Sequence, residues 1–287
     1  MLNSETAGLV LVLTATICLS TEAIAAKIAY REGAGVITTL AMRYVIAALA
    51  IWLWLIFYRQ PWKLERRLVP AVAALAMGGH ALSVLSLFYA FKYIPAATAI
   101  LLLYVYPSVV TLLAYFFLKE QITWRKLLAL GLTMAGCVII LGQPENGVDM
   151  RGVLLALTAA VINAVYLVGS TRLISNIPVV LYSGYVTGFT AFLFVILGVG
   201  GGGLNLAVSV KAWEMIVFLA MVCTVVPVIT FFRGIKRIGA SRSAIISTFE
   251  PVSTALLGIW LLQETLDGSQ VLGGVLIVVG VLLQKRG

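Results

Sequence analysis

The chain has 287 residues, 62% hydrophobic and 11% charged, with a formal net charge of +9 and a mean hydropathy of +1.07. Soluble domains are about half apolar and a quarter charged, so a water-soluble globule is excluded. The basic balance invites a nucleic-acid reading, which the placement of the charges removes below.

About 20 apolar residues span a bilayer, and ten such runs follow one another with short connections. The first, 8–30, lacks a basic leader and outruns a signal core, so no cleavable signal peptide is expected. Its Thr14, Cys18, Thr21, Glu22 and Ala25 share one helical face. The second, 35–57, carries Arg43 and Tyr44. The third, 68–91, sets His80 and Ser83 on one face. The fourth, 95–117, aligns Tyr104, Ser108, Thr111 and Tyr115 and contains Pro107. The fifth, 124–142, has only scattered polar groups. The sixth, 152–173, aligns Asn163, Tyr166 and Ser170. The seventh, 178–199, has Gly184 and Gly188 at the spacing of a small-residue helix contact. The eighth, 212–232, carries Thr224 and Pro227. The ninth, 239–262, aligns Ser243, Ser247, Glu250 and Thr254 and contains Pro251. The tenth, 268–284, is as sparsely polar as the fifth. Trp62, Trp124 and Trp213 fall at expected interfaces and read as aromatic anchors. Glu120 and Glu264 end spans 4 and 9, each before a short turn where Thr123 or Asp267 can cap the next helix.

The second half repeats the first at an offset of 144 residues. Phe88, Lys92, Ile94, Ala96, Pro107, Glu120 and Gly136 reappear as Phe232, Lys236, Ile238, Ala240, Pro251, Glu264 and Gly280, and no gap is needed. The same offset carries Gly8 onto Gly152. The expected organisation is therefore two five-helix units, 1–143 and 144–287. An odd number of spans per unit makes the repeat inverted. With the N-terminus cytoplasmic, 14 basic residues fall in inner connections and the C-terminus against five outside, a positive-inside bias. The fold class expected is all-α integral membrane: ten transmembrane helices as two inverted five-helix repeats, both termini cytoplasmic. The net charge thus reports orientation, and no nucleic-acid partner is expected.

Charge within a bilayer costs about 2.5–3.5 kcal/mol per group on insertion scales, which singles out Glu22, Arg43, His80 and Glu250. Glu22 can hold an amine, carry a proton or pair with Arg43; His80 can carry a proton or bridge two helices. Asn163, Tyr104 and Tyr166 can hydrogen-bond a polar ligand. Pro107 and Pro251 interrupt corresponding spans, which in duplicated membrane proteins points to a ligand site between the halves. Cys18, Cys137 and Cys223 read as buried thiols. With one His and no paired cysteines, no metal site and no cofactor are expected. No HExxH or GxSxG is present, so an enzyme is not expected either.

Together these residues resemble the EamA branch of the drug/metabolite transporter superfamily. The likeness lies in the doubled five-span unit, Arg43 followed by Tyr44, the Pro107 and Pro251 segments, and the patterns LKEQITWRKLLALGLTMAG and LQETLDGSQVLGGVLIVVG. It covers essentially the whole chain; the second half departs from the first in having Thr187 opposite Arg43. The resemblance implies a central cavity and rocking of spans 3–4 and 8–9 against the rest. Within the branch, the chain looks most like bacterial exporters of aromatic amino acids. The implied protein is a monomeric, multi-pass exporter of amino acids and small metabolites in the bacterial inner membrane. Its partners would be that small-molecule substrate and the lipid bilayer. The expected cavity residues are Glu22, His80, Ser83, Tyr104, Asn163, Tyr166, Thr224, Ser247 and Glu250, with Pro107 and Pro251 as hinges. A cationic-drug exporter is the alternative, since Glu22 or Glu250 could hold the cation. A nucleotide-sugar or sugar-phosphate carrier fits less well, because phosphate calls for Lys or Arg and only Arg43 lies within a span.

Overall fold

The computed structural model describes residues 4–60, 62–106, 108–109, 113, 124–141, 149–174, 177–247 and 249–283, and these are helices and connections without a strand. In chain order the helices are α1 (Ser4–Ser20), α2 (Glu22–Arg31), α3 (Val36–Phe57), α4 (Val69–Ala74), α5 (Leu82–Tyr93) and α6 (Ala96–Leu103). There follow α7 (Trp124–Leu141), α8 (Met150–Ile174), α9 (Val179–Gly200), α10 (Val210–Ala220), α11 (Val226–Ser247), α12 (Phe249–Leu262) and α13 (Gly268–Leu283). Two π-helical segments, Leu75–Ala81 and Met221–Val225, join α4 to α5 and α10 to α11. Among the described residues, six helical stretches are long and apolar enough to cross a membrane: Glu5–Arg31, Val36–Phe57, Val69–Tyr93, Met150–Ser170, Val179–Gly200 and Val210–Phe231. Each coincides with an expected span to within three residues. α12 and α13 are shorter apolar helices.

α3 illustrates the packing. Leu40, Ala47, Ile51 and Leu55 are buried, whereas Leu49, Leu53 and Ile56 on the opposite side are each more than half exposed. A helix apolar all round belongs in a bilayer or a large core, and here one apolar face meets protein while the other is left for lipid. The inward face packs on α9. A Cβ added to Gly184 would meet Ile51 and Leu55 at van der Waals distance, and one added to Gly188 would stand 3.6 Å from the Trp52 indole nitrogen. The small-residue pair in span 7 is thus used within the chain.

Contacts recur at the offset seen in the sequence. α1 lies against α11, and Gly8 sits so close to Arg237 and Ile238 that a Cβ would collide with both. α5 lies against α8, and a Cβ on Gly152 would stand 2.9 Å from Tyr93 and 2.7 Å from Ile94. Adding 144 to 8, 93 and 94 gives 152, 237 and 238. The π segments obey the same offset, since 221–225 lies within 219–225, the image of 75–81.

The structure corrects one boundary. The sequence places a connection between residues 232 and 239, but α11 runs unbroken from Val226 to Ser247. Arg and Lys are good helix formers, so a basic stretch that ends a hydropathy run need not end a helix. Gly234 also lets the helix settle against Val12 of α1.

Candidate functional site

The polar interior begins at a break in the first helix. At Thr21 the chain leaves helical bonding, with both the amide and the hydroxyl turned to the Cys18 carbonyl, at 3.3 and 2.7 Å. α2 then starts with Glu22 pointed at Arg43 of α3. The guanidinium donates from Nη1 and Nη2 to the two Glu22 carboxylate oxygens at 3.0 and 3.1 Å. It also donates from Nε to Thr224 Oγ1 at 2.7 Å and from Nη2 to the Cys223 carbonyl at 3.0 Å. The rings of Tyr44 and Phe88 flank it at 5.3 and 5.1 Å. Arg43 is 3% exposed, and a charge so buried persists only when paired and hydrogen-bonded. Glu22 and Thr224 are therefore joined by Arg43, a bond to Thr224 that its span position did not announce.

Tyr44, the next residue on α3, reaches the other π segment. Its hydroxyl lies 2.9 Å from His80 Nε2, and the two rings meet edge-on at 5.6 Å. The Tyr166 ring of α8 packs tilted against His80, with centres 5.1 Å apart. His80 and Thr224 are themselves 144 residues apart. A π turn carries one extra residue and often marks a functional position; here the Thr224 hydroxyl bonds the Leu219 carbonyl five residues back, at 2.9 Å. Ser83 is turned to the backbone of α8, donating to the Ala159 carbonyl at 2.9 Å. Asn163, half-buried on α8 between Ala159 and Tyr166, has no hydrogen bond among the described residues. Ser170 accepts from Tyr182 at 2.7 Å.

The third group lies near the two matched prolines. Leu103, the last residue of α6, and Ser247 each stand four residues before a proline. Proline has no amide hydrogen, and its ring collides with the carbonyl four residues back, so these are the residues whose carbonyls lose their helical donor. Tyr104 supplies one replacement: its hydroxyl lies within hydrogen-bond reach of the Ser247 carbonyl and 3.0 Å from Glu250 Oε2. Tyr104, Ser247 and Glu250 are thus brought together. Pro251 is buried on α12; the kink expected there involves Thr248, which lies outside the described residues. Pro107 lies outside the described residues, as does Glu120.

Glu264 differs from the expected turn-former. Its carboxylate pairs with Lys27 Nζ at 2.9 Å and accepts the Ala96 amide that opens α6, at 3.1 and 3.2 Å. Lys27 also donates to the Ile94 carbonyl at 2.8 Å. A carboxylate at a helix N-terminus satisfies an orphan amide and the helix dipole together. The sequence signal was available, since Lys27 and Glu264 both fall at the outer ends of their expected spans.

Comparison with known proteins agrees with this architecture. Residues 6–142 and 150–284 each match the model of the EamA-like transporter family. The chain is 28% identical to the uncharacterized transporter YcbK of Bacillus subtilis (strain 168), over 97% of this chain and 93% of that one. It is 26% identical to a probable terminal-alkyne amino-acid exporter of Streptantibioticus cattleyicolor, over 68% of this chain and 65% of that one. Among solved structures, a crystal structure at 22% identity superposes with a TM-score of 0.67, covering 97% of this chain and 96% of its own.

Proposed function

The chain belongs to the EamA-like transporter family, and on that premise we propose that it exports amino acids, aromatic and other neutral ones, and related small metabolites by alternating access. In this reading ten spans form two inverted five-helix repeats with both termini in the cytoplasm, and the protein works as a monomer in a bacterial inner membrane. The observation that carries it is the recurrence of tertiary contacts at the 144-residue offset. Gly8 against Arg237 and Ile238 is reproduced by Gly152 against Tyr93 and Ile94, which is what two similar units packed about a common axis produce. Two such units can rock about a site between them.

The aromatic interior supports the cargo class. Tyr44, His80, Tyr166, Tyr104 and Tyr106 offer ring faces and a few polar atoms. Sites of this kind, apolar with sparse hydrogen bonding, accept a range of related ligands. The named amino-acid exporter among the relatives points the same way. Radiolabelled phenylalanine flux into proteoliposomes tests the proposal. Flux at the level of empty vesicles for every neutral amino acid would remove the substrate class, and reporter fusions placing the two chain ends on opposite faces would remove the repeat topology.

A further inference from the structure

We propose that Glu250 binds the ammonium group of the cargo, so that a primary amine, with or without a carboxylate, is the chemical class the site accepts. This rests on the reading of the interior as a cargo pocket and deepens it. Glu22 is engaged through both oxygens by Arg43, and Glu264 is paired with Lys27. Arg31 turns to the Leu262 carbonyl at 3.4 Å. Glu250 is half-buried on the first turn of α12, and among the described residues it has no cationic partner. Its Oε2 lies 3.0 Å from the Tyr104 hydroxyl, and its Oε1 has no hydrogen-bond partner among the described residues. A carboxylate removed from water without a counter-charge is costly, and an ammonium group arriving with the cargo supplies that charge. Tyr104 and Tyr106, with ring centres 5.9 Å apart, add π faces beside it, which favour a cation further.

Four of the five N–H groups of Arg43 are taken by Glu22, Thr224 and the Cys223 carbonyl, so among the described residues no interior guanidinium can fork onto a cargo carboxylate. Asn163 offers it an amide only. Recognition is therefore anchored at the nitrogen end.

Four phenyl ligands separate the cases: phenylalanine, phenethylamine, N-acetylphenylalanine and 3-phenylpropionate. Binding to the purified full chain is read by thermal shift, and transport by counterflow of labelled phenylalanine. Phenylalanine and phenethylamine should bind comparably, and the two ligands without an ammonium group about tenfold or more weaker, the worth of one charge-assisted hydrogen bond. Glu250→Gln should weaken the amines by a similar factor and leave the other two unchanged, while Glu250→Asp keeps the preference. N-acetylphenylalanine binding as well as phenylalanine, or phenethylamine failing where phenylalanine binds, would overturn the assignment. These ligand comparisons use the unaltered protein and so do not depend on how a variant folds. Phenethylamine bound with phenylalanine neither bound nor carried would support the ammonium site and overturn amino-acid export. Binding of none of the four would overturn both.

Discussion

The sharpest prediction concerns Arg43. Its side chain and that of Glu22 are 3% and 12% exposed, and the guanidinium makes four hydrogen bonds, to Glu22 twice, Thr224 and the Cys223 carbonyl. Arg43→Met keeps an unbranched stem between Tyr44 and Phe88 but strands the Glu22 carboxylate. Breaking a buried ion pair by deleting one partner costs about 3–5 kcal/mol, chiefly from the uncompensated charge. Glu22→Gln alone costs less, because the amide oxygen still accepts one guanidinium bond. The double variant has no stranded charge, so it should recover most of the Arg43→Met loss. Unfolding by SDS titration in mixed micelles, followed by tryptophan fluorescence, gives the four free energies of the cycle. If the double variant loses the sum of the two single losses, the two side chains are uncoupled and the account of the interior fails.

Gly8→Val and Gly152→Val should each lose about 1–3 kcal/mol by overpacking, read in the same titration, whereas Gly78→Ala, with nothing within 4 Å of the added Cβ, should not. Unequal effects at the two matched glycines would contradict the equivalence of their contacts. Glu264→Gln removes the counter-charge of Lys27 and weakens the cap on α6, and should lower stability by about 2–3 kcal/mol; restoration by the added change Lys27→Gln checks the cause. At the start of α8, the Asp149 carboxylate accepts from the Arg151 side chain and backbone amide, which hold it below the usual carboxylate range. A depressed folded value means that this contribution is present above about pH 3.9 and fades as pH falls through the lower folded value. Asp149→Ala should therefore be less stable than the parent at pH 7, and the difference should shrink as the pH falls below about 3.9.

Much of this was legible in the sequence because bilayer spans are written in long apolar runs, and the six apolar stretches fall where hydropathy places them. The offset of 144 residues was equally plain, since Pro107 with Pro251 and Glu120 with Glu264 are improbable coincidences in apolar sequence. Arg43 was foreseeable as a partner for Glu22, because few groups within the spans can neutralise each other. The π segments were not legible: one extra residue in a turn leaves hydropathy unchanged, and the Thr224 hydroxyl that bonds Leu219 looks like any helical threonine. Nor was the continuation of α11, where Arg233, Lys236 and Arg237 mimic a loop. The Lys27–Glu264 pair was missed because each residue was read against its own turn, though both had been placed at the same membrane face.

Arg43 and Tyr44 are adjacent on α3, about 100° apart around its axis, and each is moored to a different π segment. The moorings are unequal. Arg43 holds Cys223 and Thr224 with charged donors, while Tyr44 holds His80 through one neutral bond. A visiting polar molecule can outbid a phenol for an imidazole far more readily than it can displace a guanidinium from its carboxylate. α3 is therefore tied to the later π segment by its stronger bonds and to the earlier one by its weaker bond.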